Sequence, residues 1–340
     1  MFNISSFEHQ PYIKRHFDFI NESALAERLL FLDENFLQIN QNKHQEVANN
    51  LRRLVAATGK CPVLCFESNP VIFEQYMSGL SQFYDTSNVF VFVWDADPVK
   101  VLPTNYAYWP TFLLNQRIEN PVIYKIQPRR HRISFLSGLM RYHRLKVWTE
   151  VHCLTRPEDV VVVNAICPSN FTTTILSGFE ADAEIIKQQF NLLPWTNRKE
   201  YIDQDQTGWS INQNGAIDHP AYLSCINITG ESWYHNQNIF VTEKTWKAYR
   251  AGCLVVNYGA ERMSSYLREL GFEIWDQYDT GGNMQQSLDL IKELFQRDDI
   301  EELYRQNSDI IQHNLNLFHN NALARLLSRS AIEKLKNWVV

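Results

Sequence analysis

Apolar positions in the first part of the chain recur at spacings of three and four, then give way to unbroken apolar runs. Within residues 22 to 58, "ESALAERLLFLDENFLQ" and the start of "HQEVANNLRRLVAATGK" show the helical spacing, so both predict helices. "CPVLCFE" (61–67) predicts a buried strand, "PVIFEQYMSGLSQFY" a helix, and "NVFVFVWD" (88–95) a second buried strand. Helices alternating with continuously apolar strands are the pattern of a parallel sheet covered on both faces. The Pro-, Asn- and aromatic-rich stretch 98–120 predicts no regular element. "PVIYKI" (121–126) and "RISFLSG" (132–138) predict short strands around the basic cluster "QPRRHR", and a helix is expected from Leu139 to about Leu154. "DVVVVNA" (159–165) is another strand candidate, and the polar stretch 191–220 reads as loops.

A second alternation starts with the strand "AYLSCINIT" (221–229). A helix over 242–251, the strand "CLVVNYG", the helix "ERMSSYLREL" stopped by Gly271 and the short strand "FEIWD" continue it. Helices fill the remainder from about Met284 to Trp338. The reading is therefore α/β, with two Rossmann-like halves. An N-terminal domain is placed at 1–130 and a C-terminal domain at 131–320, followed by a helix at 321–340.

Composition adds limits. The 340 residues are 45% hydrophobic and 21% charged, as in ordinary globular proteins, and a chain this long accommodates two domains. With 32 basic and 38 acidic residues the net charge is −6, which is not the footprint of a general nucleic-acid binder. The six cysteines (61, 65, 153, 167, 225 and 253) form no C-x-x-C pair and no zinc-type spacing, and read as free thiols in a reducing cytosol. The first residues, "MFNISSFEHQ", lack a basic start followed by an apolar run, and no stretch reaches 18 apolar residues. Neither a signal peptide nor a membrane span is expected, and a cytoplasmic location follows as an expectation.

The most informative stretch is "IFVTEKTWKAYRAGCLVVNYG" (239–259), where Thr242-Glu243-Lys244 opens a helix between two strand-like segments. A helix N-terminus carries about half a positive charge and free N–H groups, and there a diphosphate is well placed. Lys244 in the first turn sits at the wrong end for helix stability, as a cation does where an anion binds. Glu243 is suited to accept hydrogen bonds from the two hydroxyls of a ribose. The competing reading makes Glu243 a partner of the helix dipole and Lys244 a solvated surface residue.

The wider run "INITGESWYHNQNIFVTEKTWKAYRAGCLVVNYGAERMSSYLRELGFE" (226–273) resembles the donor-binding region of the α1,3-fucosyltransferase family and of its phage and bacterial relatives. The features in common are Glu231-Ser232, Phe240 through Ala248, Gly252 and Gly259. That resemblance implies a GT-B fold, two Rossmann-like domains facing a central cleft, with the donor nucleotide on the C-terminal one. It implies that Glu243 holds the donor ribose, that Lys244 holds the diphosphate and that Thr242 shapes the turn. An upstream arginine for the phosphates is sought in "FLSGLMRYHRLKVW". Arg141 is the candidate, with His143 and Arg144 beside it, and Arg141 and Arg144 share one helix face.

The implied reaction is transfer of a sugar from a nucleoside diphosphate to a hydroxyl, without a cofactor and without a required metal. Side chains and the helix dipole then stabilise the leaving group, and a carboxylate acts as base. Glu67, Asp95 and Asp97, each at the end of an N-terminal strand, are base candidates, and as loop carboxylates they are equally ordinary surface groups. Asp95-Ala96-Asp97 also matches the D-x-D metal site of the other glycosyltransferase architecture. Asp203 and Asp205 repeat that short pattern.

The acceptor is expected to be a glycan or a hydroxymethylated DNA base. The cluster "KIQPRRHR" (125–132), with Arg129, Arg130 and Arg132, is the nucleic-acid candidate; a solvated interdomain loop is the plainer reading. An alternative from another class is a silent module that binds a nucleotide or glycan without turnover. The chain has no Walker A loop, GxGxxG, HExxH or GxSxG motif.

Overall fold

The computed structural model of the chain describes residues 11–32, 43–66, 70–93, 103–110, 113–114, 126, 128–137, 142–151, 160–164, 222–231, 239, 241–318 and 322–339. The fold is α/β and divides into two units, residues 1–118 with 322–340, and residues 119–321.

The first unit begins with helices α1 (Pro11–Phe19) and α2 (Ser23–Ala26) and strand β1 (Leu29–Leu32). Helix α3 (His44–Thr58), β2 (Cys61–Phe66), α4 (Pro70–Ser81), β3 (Phe90–Val93) and β4 (Tyr106–Tyr108) follow. The strands pair in sequence order, all parallel, with Phe31 opposite Val63, Leu64 opposite Val91 and Phe92 opposite Ala107. Leu51 and Leu54 of α3 and Tyr76 and Leu80 of α4 pack with Leu32, Leu64 and Val91 in one core cluster. An aromatic group also lies buried in this unit. Trp109 stacks on Phe92 at 4.6 Å and on Phe17 at 5.1 Å, and its indole N–H donates to His16 Nδ1 at 3.1 Å.

Two segments of this unit depart from the sequence reading. "ESALAERLLFLDENFLQ" was expected to be one helix, but its first half splits into α2 and β1. Leu29, Leu30, Phe31 and Leu32 are all buried. A surface helix covers one stripe of side chains, whereas a strand between two layers buries consecutive residues on both faces. Within the stretch 98–120, Tyr106–Tyr108 forms β4 against β3. Three residues are too few to carry a periodic signal.

The second unit contains β5 (His131–Ser137), α5 (Tyr142–Val151), β6 (Val160–Asn164), β7 (Ser224–Gly230), α6 (Glu243–Arg250), β8 (Leu254–Tyr258) and α7 (Met263–Glu269). Helices α8 (Met284–Gln296), α9 (Ile300–Gln306) and α10 (Ser308–Asn316) complete it. Its parallel sheet has the order β6-β5-β7-β8, with Ile133 and Phe135 opposite Ile226 and Ile228. These residues, Val147 and Val151 of α5 and Leu288, Ile291 and Leu294 of α8 share one core. Buried hydroxyl and amide groups between β5 and β7 bond one another: Ser134 to Ser224 at 2.6 Å, and Asn227 to Ser134 at 2.8 Å. That satisfies groups whose burial would otherwise be costly.

"FEIWD" is not a strand. The Asn314 side chain accepts from the Glu273 N–H at 2.9 Å and donates to its carbonyl at 2.8 Å, engaging the backbone groups a ladder would need. The last helix, α11 (Ala322–Val339), returns to the first unit and packs on β4. There Lys334 reaches the Tyr106 carbonyl at 3.3 Å, and the Trp338 indole donates to the Ser87 carbonyl at 3.1 Å. No helix among the described residues is long and apolar enough to cross a membrane. The expected strand 121–126 and the loops 191–220 lie outside the described residues, except for Ile126.

Candidate functional site

The strand order of the second unit reverses between β5 and β7. The chain leaves β5 through α5 to β6 on one side, and leaves β7 through α6 to β8 on the other. Right-handed crossovers place α5 and α6 on opposite faces. Consistent with that, α5 packs on α8, and α6 packs on α10. The C-terminal ends of β5 and β7 flank this switch point, and ligands of open α/β sheets bind at such a place.

Glu231 follows β7 directly and is 1% exposed. Its backbone N–H continues the sheet by donating to the Tyr258 carbonyl at 3.0 Å. Its carboxylate collects three donors from the start of α6. Oε1 accepts from the Thr242 N–H at 3.0 Å and the Thr245 hydroxyl at 2.6 Å, and Oε2 accepts from the Thr242 hydroxyl at 2.6 Å. Thr242, with extended backbone, is the N-cap, and its oxygen accepts from the Lys244 N–H at 3.4 Å. Glu231 and Ser232 stand in the run that resembles a donor-binding region and are donor-binding candidates on that ground; the Glu231 carboxylate is directed to the helix. Thr245 went unread, although Thr242 and Thr245 stand three apart, on one face, below an upstream acid.

Every residue of α6 is buried, and four of the eight are charged: Glu243, Lys244, Lys247 and Arg250. Glu243 and Lys244 are each 6% exposed, which overturns the reading of Lys244 as a solvated surface residue. The Lys244 ammonium donates to Glu243 Oε1 at 3.0 Å and to the Thr242 hydroxyl oxygen at 3.2 Å. An ammonium has three N–H donors, so one remains for a further acceptor. Deeper along the helix, Lys247 Nζ lies 5.9 Å from the centre of the Tyr222 ring, a cation–π distance.

The start of α5 closes in on the same strand end. His143 bonds the Glu231 carbonyl through Nε2 at 2.7 Å, and the Tyr258 hydroxyl donates to the His143 carbonyl at 3.1 Å. Arg144 is buried, with its Cγ 3.3 Å from where a side chain on Gly230 would begin. Gly230 therefore permits this approach. The structure brings Arg144, His143, Glu231, Thr242 and Lys244 around a single strand terminus, although they come from segments about 90 residues apart.

Arg129 has a different place from the one expected. Its Nε donates to the Tyr304 hydroxyl at 2.8 Å, Nη1 to the Tyr222 carbonyl at 3.1 Å, and Nη2 to the carbonyls of Ala251 (2.8 Å) and Gly252. It thus caps the C-terminal end of α6, where a cation is favourable. Gly252 has φ +71°, and a Cβ there would sit 2.9 Å from Nη2, so glycine serves both the left-handed turn and the clamp. Arg129 is accordingly corrected from nucleic-acid candidate to internal clamp of the second unit. Arg132 is half-buried and donates to the Arg297 carbonyl, while Arg130 is exposed. The interdomain-loop reading of this cluster also fails at these positions, because Arg129 is tied into the unit and Arg132 lies in β5.

Glu67, Asp95, Asp97, Arg141 and Ser232 lie outside the described residues, as do Asp203 and Asp205. No group of three or more His, Cys, Asp or Glu side chains among the described residues is arranged to hold a metal ion.

No protein-family model matches the chain, and no curated protein sequence matches it. Among solved structures, it is similar to the crystal structure of an α1,3-fucosyltransferase, with 11% identity over 85% of this chain and 74% of that one and a TM-score of 0.42. It is also similar to the DNA-modifying enzyme β-glucosyltransferase, solved in the presence and absence of uridine diphosphoglucose. There the identity is 8%, over 81% of each chain, with a TM-score of 0.41. At these values the likeness assigns neither residues nor a reaction to this chain.

Proposed function

We propose that the chain is a glycosyltransferase of GT-B type, moving a sugar from a nucleoside-diphosphate donor to a hydroxyl acceptor. The donor diphosphate docks at the start of α6. The observation that carries this reading is the buried Lys244 ammonium, held by Glu243 and Thr242 beside a parallel-sheet switch point, with one N–H still to give. A cation in the first turn opposes the helix dipole, and a bound diphosphate offsets that conflict. As the glycosidic bond breaks, negative charge grows on the β-phosphate, and a fixed ammonium in a site shielded from water stabilises it without reorganisation. Lys244 supplies that charge, so a metal is not required in this scheme. Arg144, and Arg141 just before α5, are second candidates for the phosphates. Glu243 Oε1 is occupied by Lys244, and its other oxygen is assigned to the donor ribose.

The base that takes the acceptor proton is assigned to the first unit, where Glu67 follows β2 and Asp95 and Asp97 follow β3. The acceptor is a glycan hydroxyl or a hydroxymethylated base in DNA. The test is incubation with GDP-, UDP- and CDP-sugars in a chelating buffer, with release of the nucleoside diphosphate as readout. Release from one of them, abolished by Lys244→Ala, is expected. Binding without release indicates a silent binding module, and release only with Mn²⁺ moves the chemistry to the D-x-D pair; either result refutes the proposal.

A further inference from the structure

The three hydrogen bonds collected by Glu231 do more than fix a helix end. We infer that Glu231 is a positioning residue that aims the Lys244 ammonium through the Thr242 hydroxyl; this rests on the diphosphate reading of the site. The argument is one of proton direction. A carboxylate only accepts, so at 2.6 Å the Thr242 hydroxyl proton points at Glu231 Oε2. Both lone pairs of the Thr242 hydroxyl oxygen then face Lys244, one taking its backbone N–H at 3.4 Å and the other its ammonium at 3.2 Å. The other carboxylate oxygen holds the Thr242 N–H and the Thr245 hydroxyl, so the carboxylate cannot turn without losing a buried bond. Glu231 is itself fixed to the sheet edge by its N–H to the Tyr258 carbonyl and its carbonyl to His143. The relay therefore runs from the end of β7 to the cation, and Glu231 need not touch the donor.

Glutamine at 231 separates this role from simple packing, because it keeps the shape. With its carbonyl oxygen retained at the Thr242 N–H and Thr245 hydroxyl, its amide must donate toward the Thr242 hydroxyl. That hydroxyl then has to turn its own proton toward Lys244, so its oxygen can no longer accept from both the backbone N–H and the ammonium, and the ammonium is no longer held on two sides by Thr242 and Glu243. The experiment measures, by calorimetry, the affinity of the full chain for GDP, UDP and CDP, carrying the tightest forward through a double-mutant cycle of Glu231→Gln and Lys244→Ala. Glu231→Gln is expected to weaken binding roughly ten- to hundredfold, the scale of a hydrogen bond to a charged group. In the Lys244→Ala background it is expected to change binding by less than about twofold. Thr242→Val, which keeps the shape and removes the hydroxyl, is expected to reproduce the loss, and Thr242→Ser to restore most of the affinity.

An equal loss in both backgrounds, or a tight-binding Thr242→Val, overturns the inference while leaving the diphosphate reading intact. A Lys244→Ala protein that binds as tightly as its parent overturns the reading itself. If Glu231→Gln melts early, the Thr242 pair decides alone.

Discussion

Replacing Arg129 by alanine should unfold the second unit more easily and leave ligand recognition intact. The guanidinium makes four hydrogen bonds, to Tyr304, Tyr222, Ala251 and Gly252. Three of the acceptors are backbone carbonyls, and those of Ala251 and Gly252 terminate α6. The Tyr304 hydroxyl also donates to the Gly252 carbonyl at 3.0 Å, so that acceptor keeps one partner when Arg129 is removed. The Ala251 carbonyl loses its partner, at about 1–2 kcal/mol for a buried unsatisfied acceptor, and the Tyr222 carbonyl loses about half as much because it keeps the weak thiol donor of Cys253 at 3.5 Å. The lost charge at the helix C-terminus adds about 0.5 kcal/mol. Arg129 is half-buried, and water entering the gap recovers part of this, so the expected net loss is about 2–3 kcal/mol. Lysine restores the charge but not the planar fork, and should recover roughly half. Urea denaturation followed by tryptophan fluorescence measures the change, with the slope of the transition as the check on two-state behaviour. A variant within about 0.5 kcal/mol of the parent, the range of an ordinary surface substitution, would refute the clamp. If it also lost affinity for DNA, the side chain would be shown to face a phosphate backbone.

Further outcomes follow from the same structure. Gly252→Ala should cost about 1–3 kcal/mol for its left-handed backbone and its clash with Arg129. Part of that cost should vanish in an Arg129→Ala background, as equilibrium unfolding of the double variant will show. Burial pushes the Cys225 thiol up to about 12 and raises Cys253 as well. Iodoacetamide at pH 8 with peptide mapping should therefore label half-buried Cys61 well before either; early labelling of Cys225 or Cys253 would contradict the packing of β7 and β8. Desolvation, then the Arg130 charge, lower the His131 pKa below 6.5. The unfolded chain thus takes up this proton first as pH falls. The His131 contribution is complete above about pH 6.5 and is lost as pH drops through the lower, folded value. His131→Gln should flatten the stability profile below about pH 6.5, and an unchanged slope in thermal melts as pH falls from there would count against the assignment.

The sheets were legible because buried parallel strands are written as unbroken apolar runs, and "FVFV" and "LVVNY" needed no partner to be recognised. What escaped the sequence was decided by tertiary partners. "LLFL" carries the composition of a helix face until layers on both sides demand a strand. "FEIWD" has strand propensity until Asn314, about 40 positions later, binds its backbone. The place of Thr242-Glu243-Lys244 at a helix start was readable. Which carboxylate bonds the threonines of the helix start and which pairs with Lys244 was not readable, since Glu231 and Glu243 are the same side chain in different surroundings. Arg129 looked like a surface cation for the same reason: its four acceptors come from three separate stretches of chain that only folding assembles.

The most direct measurement is a crystal structure of the protein soaked with the nucleoside diphosphate that stabilises it best. The account predicts the β-phosphate within hydrogen-bond distance of Lys244 Nζ, with the ribose hydroxyls on Glu243 and the Glu231 carboxylate still bound to Thr242 and Thr245. A nucleotide seated elsewhere in the chain, with the Lys244 ammonium still turned to Glu243 and touching no phosphate, would contradict it.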